Sequence, residues 1–448
     1  MLRKGDLTQG GIITTLLQFT LPMLAGSLLQ QCYNIADTLI VGQCIGANAL
    51  AAVGSAYTLM VFLISILLGL SMGSGTVFSL QYGAGDLSAL RRSIYVSLLL
   101  IGTVTILLNV AVFLWLDPIL RWLQVPYDIY SLMRNYLWII FWGIVFTFLY
   151  NFYAALLRAV GDSVTPLWFL AVSVVLNIGL DLFLILVLDQ GIEGAAVATV
   201  IAQGTAASGI LLYTYKTRPE LRLHREDMCF DRSSLREITS FSTLTCVQQS
   251  VMNFGILMVQ GLVNSFGTVV MAAIAAAAVK IDSFAYMPVQ EFGNAFSTFV
   301  AQNFGARKGD RIRRGVRSAF LITIVFSLVI SLLVFFFAKP LMLIFVRPDE
   351  AEILRIGTEY LRIEGAFYLG IGILFLLYGY YRAIRMPGMS VVLTILSLGT
   401  RIVLSYWLAS IPTIGVTGIW WSIPIGWFLA DLAGIAYYRY RKYAVSRT

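Results

Sequence analysis

The sequence predicts an all-α integral membrane protein with twelve transmembrane helices in two pseudo-symmetric six-helix bundles. Hydrophobic residues fill 59% of the 448 positions and charged residues only 12%, whereas roughly a quarter of residues are charged in soluble domains. Apolar runs of about 20 residues, long enough to cross the hydrocarbon as helices, recur along the chain. The two halves of the chain also resemble one another. Together these observations exclude an ordinary soluble fold.

The apolar runs predict the helices in order, and short connectors containing Gly, Pro or Asn separate most neighbours. The predicted helices lie near 12–42, 49–82, 89–116, 129–157, 163–188, 192–214, 237–265, 269–304, 312–338, 351–382, 388–410 and 415–438. A polar segment divides them six and six. The predicted domains are therefore an N-terminal bundle at 1–214, a cytoplasmic linker at 215–236 and a C-terminal bundle at 237–448.

The basic residues predict the orientation of the chain in the membrane. If both termini are cytoplasmic, 23 of the 31 Lys and Arg residues lie on inner segments and 6 on outer loops. Loops rich in Lys and Arg stay in the cytoplasm, so we expect both termini to be cytoplasmic. Contact with anionic lipid then accounts for the net charge of +8, and no nucleic-acid partner is expected.

Cysteine and histidine give no sign of a metal cluster or a disulfide framework. The four cysteines show no paired spacing, and they fall at different predicted depths. The only histidine, His224, lies in the linker without recognisable partners, so we expect it to be a solvated loop residue. No cofactor is predicted from these patterns.

An internal repeat relates the two predicted bundles. LAAVGSA at 50–56 matches MAAIAAA at 271–277, and RAVG at 158–161 matches RAIR at 382–385. The offset between the halves is 221 for the first match and 224 for the second, and small insertions explain the drift. Gly191 and Gly194 match Gly415 and Gly418, again at 224. Periodic self-similarity of this kind predicts two copies of one structural unit, here a parallel repeat such as membrane transporters contain.

Two embedded carboxylates make the N-terminal bundle the first place to look for a site. Asp37 lies in YNIADTLIVGQ and Asp181 in LNIGLDLFLI, although a charged residue at the bilayer centre costs about 2.5–3.5 kcal/mol even on lenient scales. Asn177 shares a helical face with Asp181 through the i, i+4 relation, and Thr199 in GAAVATV could add a hydroxyl. Such oxygens suit Na⁺, while paired carboxylates can also take up a proton.

The alternative is that both acids are buried by hydrogen bonds to the helix backbone or to Ser and Thr. The repeat argues against a purely structural pair, because the offset of 224 places Arg401 opposite Asn177 and Ser405 opposite Asp181. A polar pair needed only for folding would be expected in both bundles. The asymmetry favours a functional role in the N-terminal bundle.

The C-terminal bundle carries polar residues of its own, and they could neutralise one another. We expect Lys280 and Asp282 near the outer interface, where long side chains reach water cheaply, and Glu291 deeper, facing a cavity. Amides on the first helix recur on the seventh, and they could bind a substrate or simply pack helices. The predicted substrate-cavity residues are Gln30, Asn34, Gln248, Asn253, Glu291 and Arg401.

Pro22 lies on the same predicted helix as Asp37, fifteen residues earlier. Proline removes a helical hydrogen bond and favours a kink. The spacing predicts a bending point linked to Asp37, although a simple kink without a switching role is an equal alternative.

Several motifs together resemble the multidrug and toxic compound extrusion (MATE) family of prokaryotic transporters, over nearly the whole chain. The motifs are LPMLAG with Pro22, YNIADTLIVGQCIGANALAAVG, GLSMGSGTVFSLQYGAGD, LRAVGDSVTP, LNIGLDLFLI, GIEGAAVAT and FGNAFSTFVAQNFGARKGDRIRRG.

The resemblance implies a secondary active efflux antiporter that exports amphipathic, often cationic compounds in exchange for Na⁺ or H⁺ by alternating access. It implies a cation site at Asp37, Asn177, Asp181 and Thr199, which would be the metal ligands if the ion is Na⁺, and bending at Pro22. The expected partners are small substrates and membrane lipid, and the expected state is a monomer. The seventh helix lacks the acid that other branches of the family place there, which shifts the expected site to the N-terminal bundle.

Two other functions are compatible with a polytopic chain. A lipid-linked precursor flippase shares the superfamily architecture, but it typically has more helices or a strongly cationic cavity. An integral membrane enzyme would need a His-rich metal motif, a nucleotide loop or a nucleophile with its base, and the sequence has none of these.

Overall fold

The computed structural model describes residues 6–123, 125–228 and 231–445, and within these ranges it is built from helices without strands. The twelve predicted helices are all present in the described chain. We label them α1 to α12: α1 Ile12–Cys44, α2 Ala47–Ala84, α3 Leu87–Trp122, α4 Tyr127–Trp142 with Ile144–Ala159, α5 Val164–Leu182, α6 Gly191–Thr217, α7 Arg232–Asn264, α8 Thr268–Ile274 with Ser283–Gly305, α9 Gly309–Met342, α10 Ala351–Gly365 with Tyr368–Ala383, α11 Pro387–Ala409 and α12 Thr417–Val445.

Length and composition make these helices membrane spans. Among the described residues, nine helices are each long and apolar enough to cross a membrane, and α4 and α10 qualify as bent pairs. Large apolar side chains such as Leu107, Val175 and Phe336 are exposed on the helix surfaces. Apolar exposure on this scale is unusual for a soluble monomer, and it identifies these surfaces as lipid-facing.

Helices α4 and α10 are each broken, where the sequence predicts continuous helices over 129–157 and 351–382. The two parts of α4 meet at 46° around Gly143, and those of α10 meet at 50° around Ala366 and Phe367. A Cβ atom at Gly143 would lie 2.8 Å from Oε1 of Gln203 on α6, so a glycine lets the break pack closely against its neighbour. The repeat offset that pairs RAVG with RAIR also pairs Gly143 with Phe367.

Two helices contain π-helical turns, which are rare and often lie at functional sites. The first, Phe183–Val187, continues α5 immediately after its last turn, and the second, Ala275–Asp282, interrupts α8. The first begins two residues after Asp181, and the second ends on Asp282. Each bundle therefore has an acidic residue beside a wide helical turn.

The chain divides into two compact units that share helices α1 and α7. The first unit contains Gln18–Cys246, and the second contains Thr8–Leu17 together with the chain from Val247 onward. Each of these two helices therefore begins in one unit and continues in the other. In the second unit, Lys308 and Arg311 donate hydrogen bonds to the backbone carbonyls of Thr8, Gln9 and Gly10, which fixes the approach to α1.

Helix α2 approaches the first part of α7 so closely that two positions require glycine. A Cβ atom at Gly73 would lie 2.5 Å from the carbonyl oxygen of Phe241, and one at Gly69 would lie 2.6 Å from Cα of Cys246. Beside them, the buried hydroxyls of Ser74 and Ser242 are 2.9 Å apart. Small residues four apart let helix backbones pack closely inside membranes.

We expect Gly73→Val to destabilise the first unit by about 1–3 kcal/mol or more, because a side chain there must displace helix backbone. The measurement is the thermal unfolding midpoint of the purified full-length protein in detergent. Gly54→Val is the matched control: it is on the same helix, and nothing lies within 4 Å of its Cβ position. Equal midpoints for the two variants would contradict the close packing.

The linker between the two halves is docked on the first unit by two ion pairs. Arg91 on α3 contacts Asp227 at 2.8 Å, and Arg218 contacts Asp162 at 2.9 Å. Burial tends to raise the pKa of Asp227, but hydrogen bonds from the His224 backbone and from Arg91 outweigh it and hold the pKa below its ordinary value. The His224 side chain is 62% exposed and its Nδ1 lies 3.3 Å from Asp227, so it is solvated as expected but has a partner.

Candidate cation site

Three helices of the first unit bring the predicted cation-site residues together. Helix α1 carries Asp37, α5 carries Asn177 and Asp181 on one face, and α6 carries Thr199. Helix α5 packs directly against α6. Residues that are far apart in the chain therefore meet inside one bundle.

The α5 and α6 members of the site are almost completely buried. Asp181 is 0% exposed, Asn177 1% and Thr199 5%. With its amide oriented to satisfy both ends, Asn177 donates from Nδ2 to Oδ2 of Asp181 at 2.8 Å and accepts from the Thr199 backbone N–H at 3.2 Å. The Thr199 hydroxyl donates to the Ala195 carbonyl at 3.0 Å. Asn177 therefore fixes Asp181 relative to α6.

The carboxyl groups of Asp37 and Asp181 face one another at a range where they can share a proton. Oδ1 of Asp181 receives no hydrogen bond from a fixed donor of the described residues. Like charges this close in a poorly polarisable interior repel strongly. The pair therefore needs positive charge between its oxygens, which a proton or a metal cation can supply.

Two tyrosines that sequence reasoning missed complete the surroundings. The Tyr33 hydroxyl lies 3.3 Å from Oγ1 of Thr199, and Tyr33 precedes Asp37 by one helical turn on α1. Tyr136 on α4 is buried and lies close enough to Tyr33, Asp37 and Asp181 for electrostatic interaction. Both tyrosines add phenolic oxygens to the site. The sequence has 22 tyrosines, and only the i, i+4 spacing of Tyr33 and Asp37 could have indicated that one of them belongs here.

The oxygen atoms around Asp37 and Asp181 favour a hard cation that is bound by only two charged side chains. Among the described residues, no three His, Cys, Asp or Glu side chains converge as a metal-binding group, so a metal here would be held by two carboxylates and neutral oxygens. Amide, hydroxyl and carboxylate oxygens suit hard cations. Cys32 and Cys44 are free thiols, and Cys229 lies outside the described residues.

A second polar cluster lies in the core of the second unit. Asp282 on α8, Glu364 on α10 and Arg401 on α11 are close enough to interact electrostatically, beside Tyr360 and Tyr368. Asp282 is half-buried and its Oδ1 is buried without a hydrogen-bond partner, so its position near the outer interface stays a prediction. The side chain of Lys280 lies outside the described part of the structure.

The predicted substrate residues fall in both units, and each is described within its own. In the first, Gln30 donates to Asn34 at 3.5 Å on a solvent- or lipid-accessible part of α1. In the second, Gln248 is buried, whereas Asn253, Glu291 and Arg401 are half-buried.

Pro22 does not interrupt helix α1. The helix continues from Ile12 to Cys44 with the proline inside it. The proline lies four residues after Gln18, the position on α1 at which the chain passes from the second unit into the first.

A family model described as MatE matches the chain twice, at residues 22–183 and at 245–407. The chain belongs to the MatE family. The starts of the two matches are separated by nearly the same interval as the repeated motifs, which agrees with the internal repeat. The first match runs from α1 to α5 and its continuation, and the second runs from α7 to α11.

Curated relatives within the MatE family cover almost the full length of the chain. The "Probable multidrug resistance protein YpnP" of Bacillus subtilis is 31% identical over 98% of this chain and 97% of its own. The "Multidrug export protein MepA" of Staphylococcus aureus is 26% identical over 95% and 93%. These matches identify the chain as a multi-pass membrane protein of a multidrug transporter family.

Solved structures show the same fold. A crystal structure of "MATE in the bent conformation" aligns with a TM-score of 0.93 at 21% identity, covering 100% of this chain and 99% of that one. A "MOP superfamily transporter from Pyrococcus furiosus" aligns with a TM-score of 0.92 at 21% identity over both full lengths. The predicted twelve-helix MATE fold is confirmed by these alignments.

Proposed function

We propose that the protein is an antiporter that exports amphipathic, often cationic compounds in exchange for inward Na⁺ or H⁺ movement. The observation that carries this proposal is the facing carboxyl pair of Asp37 and Asp181 inside the first unit. Intramembrane acids are costly and usually mark ion pathways. A transporter family gives such a pair a use, because ion entry can be coupled to the conformational cycle.

The coupling follows from the position of the pair across three helices. Asp37 lies on α1, while Asp181 is fixed through Asn177 to α6. A bound ion draws the two carboxylates together, and its departure lets their repulsion separate α1 from α5. The ion thus has different affinities for two arrangements of α1, and only a ligand with such a difference can shift the equilibrium. Pro22 supplies a helix position where α1 can bend.

The substrate class is supported by the names of the relatives and by the distribution of polar groups. The relatives are named for multidrug resistance and multidrug export. Within the first unit the amides Gln30 and Asn34, and within the second Gln248, Asn253 and Glu291, offer hydrogen bonds and one negative charge to a cationic compound. Both termini are cytoplasmic in this proposal, and the protein acts as a monomer without a cofactor.

The proposal is tested with purified protein in liposomes that hold ethidium under an imposed Na⁺ gradient, H⁺ gradient or no gradient. The expected result is ethidium movement that depends on one of the two ion gradients and runs opposite to the ion. Movement that ignores both gradients would contradict antiport. Gradient-independent turnover of a lipid-linked precursor would identify a flippase instead.

A further inference from the structure

The polar cluster of Asp282, Glu364 and Arg401 shares two repeat-related positions with the cation site. At the offset of 224 that the sequence motifs define, Tyr136-Leu137 matches Tyr360-Leu361 on the broken helix, and Asn177 matches Arg401. In the first unit, Tyr136 lies near Asp37 and Asp181; in the second, Tyr360 lies near Glu364 and Asp282. The two clusters therefore share a tyrosine and one position of α5 and α11, while their acids lie on helices that the repeat does not pair.

The backbone around both clusters is irregular in similar ways, although the repeat pairs only the helix breaks and not the two π-helical segments. The broken helices bend at the repeat-related positions Gly143 and Phe367, through 46° and 50°. A π-helical segment begins two residues after Asp181, and another ends on Asp282. Each cluster thus combines two embedded acids, a tyrosine, a helix break and a wide helical turn.

The second cluster contains one positively charged side chain, and the cation site of the first unit contains none among the described residues. Among the described residues, no basic side chain interacts with Asp37 or Asp181, so neutralising charge must come from an exchangeable ion. In the second unit, Arg401 interacts with both acids. Its guanidinium is covalently attached to α11, so its positive charge cannot leave the cluster as an ion can.

The second cluster is held together by long-range attraction rather than by a closed ion pair. No nitrogen of Arg401 lies within 4.0 Å of a carboxylate oxygen in the described chain. Several buried polar atoms of the cluster lack hydrogen-bond partners: Oδ1 of Asp282, Oε2 of Glu364 and Nε of Arg401. Buried polar groups of this kind are normally satisfied by water or an ion. The cluster can therefore accept a ligand, but its strongest donor is the arginine.

We propose that Arg401 is a tethered cation that excludes a mobile metal ion from the Asp282 and Glu364 pair, so that the transporter has one exchangeable metal-ion site rather than two. This inference depends on the proposed cation site of the first unit only because it compares the charge of that site with the charge of the second cluster. The guanidinium repels a second cation while it attracts both carboxylates. Arg401 then determines ion stoichiometry, and its replacement opens the second site.

The test measures equilibrium binding of radiolabelled sodium at pH 8 to purified full-length protein in which Asp37→Asn and Asp181→Asn have removed the first site. We expect no saturable binding in this background. Adding Arg401→Asn, which introduces the repeat-related residue, creates saturable binding that the background lacks. Adding Glu364→Gln to that variant abolishes the gain, and Arg401→Lys, which keeps the charge, does not produce it.

Size-exclusion profiles and thermal unfolding midpoints show which variants are folded. Saturable sodium binding by the Asp37→Asn, Asp181→Asn background with Arg401 intact would overturn the proposal, as would its absence from folded variants that carry Arg401→Asn or Arg401→Ala. Failure of the proposed function is distinguishable, since it appears as gradient-independent ethidium transport by the wild-type protein.

Discussion

Asp37→Asn abolishes ion-driven export, lowering ethidium transport under the effective gradient by about 100-fold, the upper part of the usual range for a coupling free energy. Asparagine keeps the shape of the side chain but carries no charge and cannot exchange a proton. The remaining Asp181 then has no second carboxylate with which to hold a cation. The measurement is initial-rate transport in liposomes at equal protein content, with Na⁺ and H⁺ gradients tested separately.

Asp128→Asn is the matched control for this experiment, because it makes the same chemical change in the same unit at an exposed position on the first turn of α4. It is expected to retain wild-type transport and ion dependence. Full ion-driven transport by Asp37→Asn would remove that residue from the coupling site. Loss of transport by both variants would point to a general effect of charge removal instead.

Asn177→Leu is expected to eliminate ion dependence and to lower stability as well. Leucine has a similar volume, but it leaves Oδ2 of Asp181 and the N–H of Thr199 without the partners that the amide provides. Each buried group that loses its partner costs about 1–3 kcal/mol. Transport assays and thermal unfolding midpoints measured with and without the coupling ion separate the two effects.

Asn109→Leu provides the comparison for this second variant. Asn109 donates one hydrogen bond to the Phe141 carbonyl at 2.8 Å in the same unit, so its loss lowers the unfolding midpoint without touching the acids. We expect Asn109→Leu to keep ion-dependent transport. If Asn177→Leu also keeps the wild-type ion dependence, Asn177 is a packing residue and not part of the cation site.

The members of the proposed cation site can be chosen from the sequence because they depart from the local apolar pattern. Asp37, Asn177 and Asp181 stand out as polar residues in apolar helices, and the asymmetry between Asn177 and Arg401 points to one bundle. The structure brings these residues and Thr199 onto three helices of one unit. Tyr33 and Tyr136 could not be chosen in the same way, because a tyrosine in a membrane helix is as common in packing as in binding.

One member of the second cluster, Glu364, escaped prediction for a different reason. Glu364 follows Arg355 and Arg362 closely in sequence, and these basic residues place the start of its helix at the outer surface. The break at Phe367 turns the first part of α10 so that Glu364 is buried beside Tyr360. Helix breaks depend on close packing against other helices, as at Gly143 and Gln203, and a hydropathy pattern does not contain that information.

The glycines of α2 show the same limit. Gly69 and Gly73 are four residues apart in a run rich in small residues, which is compatible with many helix pairs. Only the structure identifies the backbone of Phe241, Ser242 and Cys246 as their neighbours. Spacing thus predicts that a close approach occurs, while the partner helix depends on the tertiary fold.

The central claim, that the Asp37 and Asp181 pair couples ion entry to substrate export, is tested most directly by measuring ion movement itself. Proteoliposomes loaded with ethidium report Na⁺ uptake with radiolabelled sodium and H⁺ uptake with a pH-sensitive dye. If the pair couples the two movements, ethidium accelerates inward movement of one ion in the wild-type protein and has no such effect in the folded Asp37→Asn, Asp181→Asn double variant. Undiminished ethidium-coupled ion uptake by the double variant would contradict it.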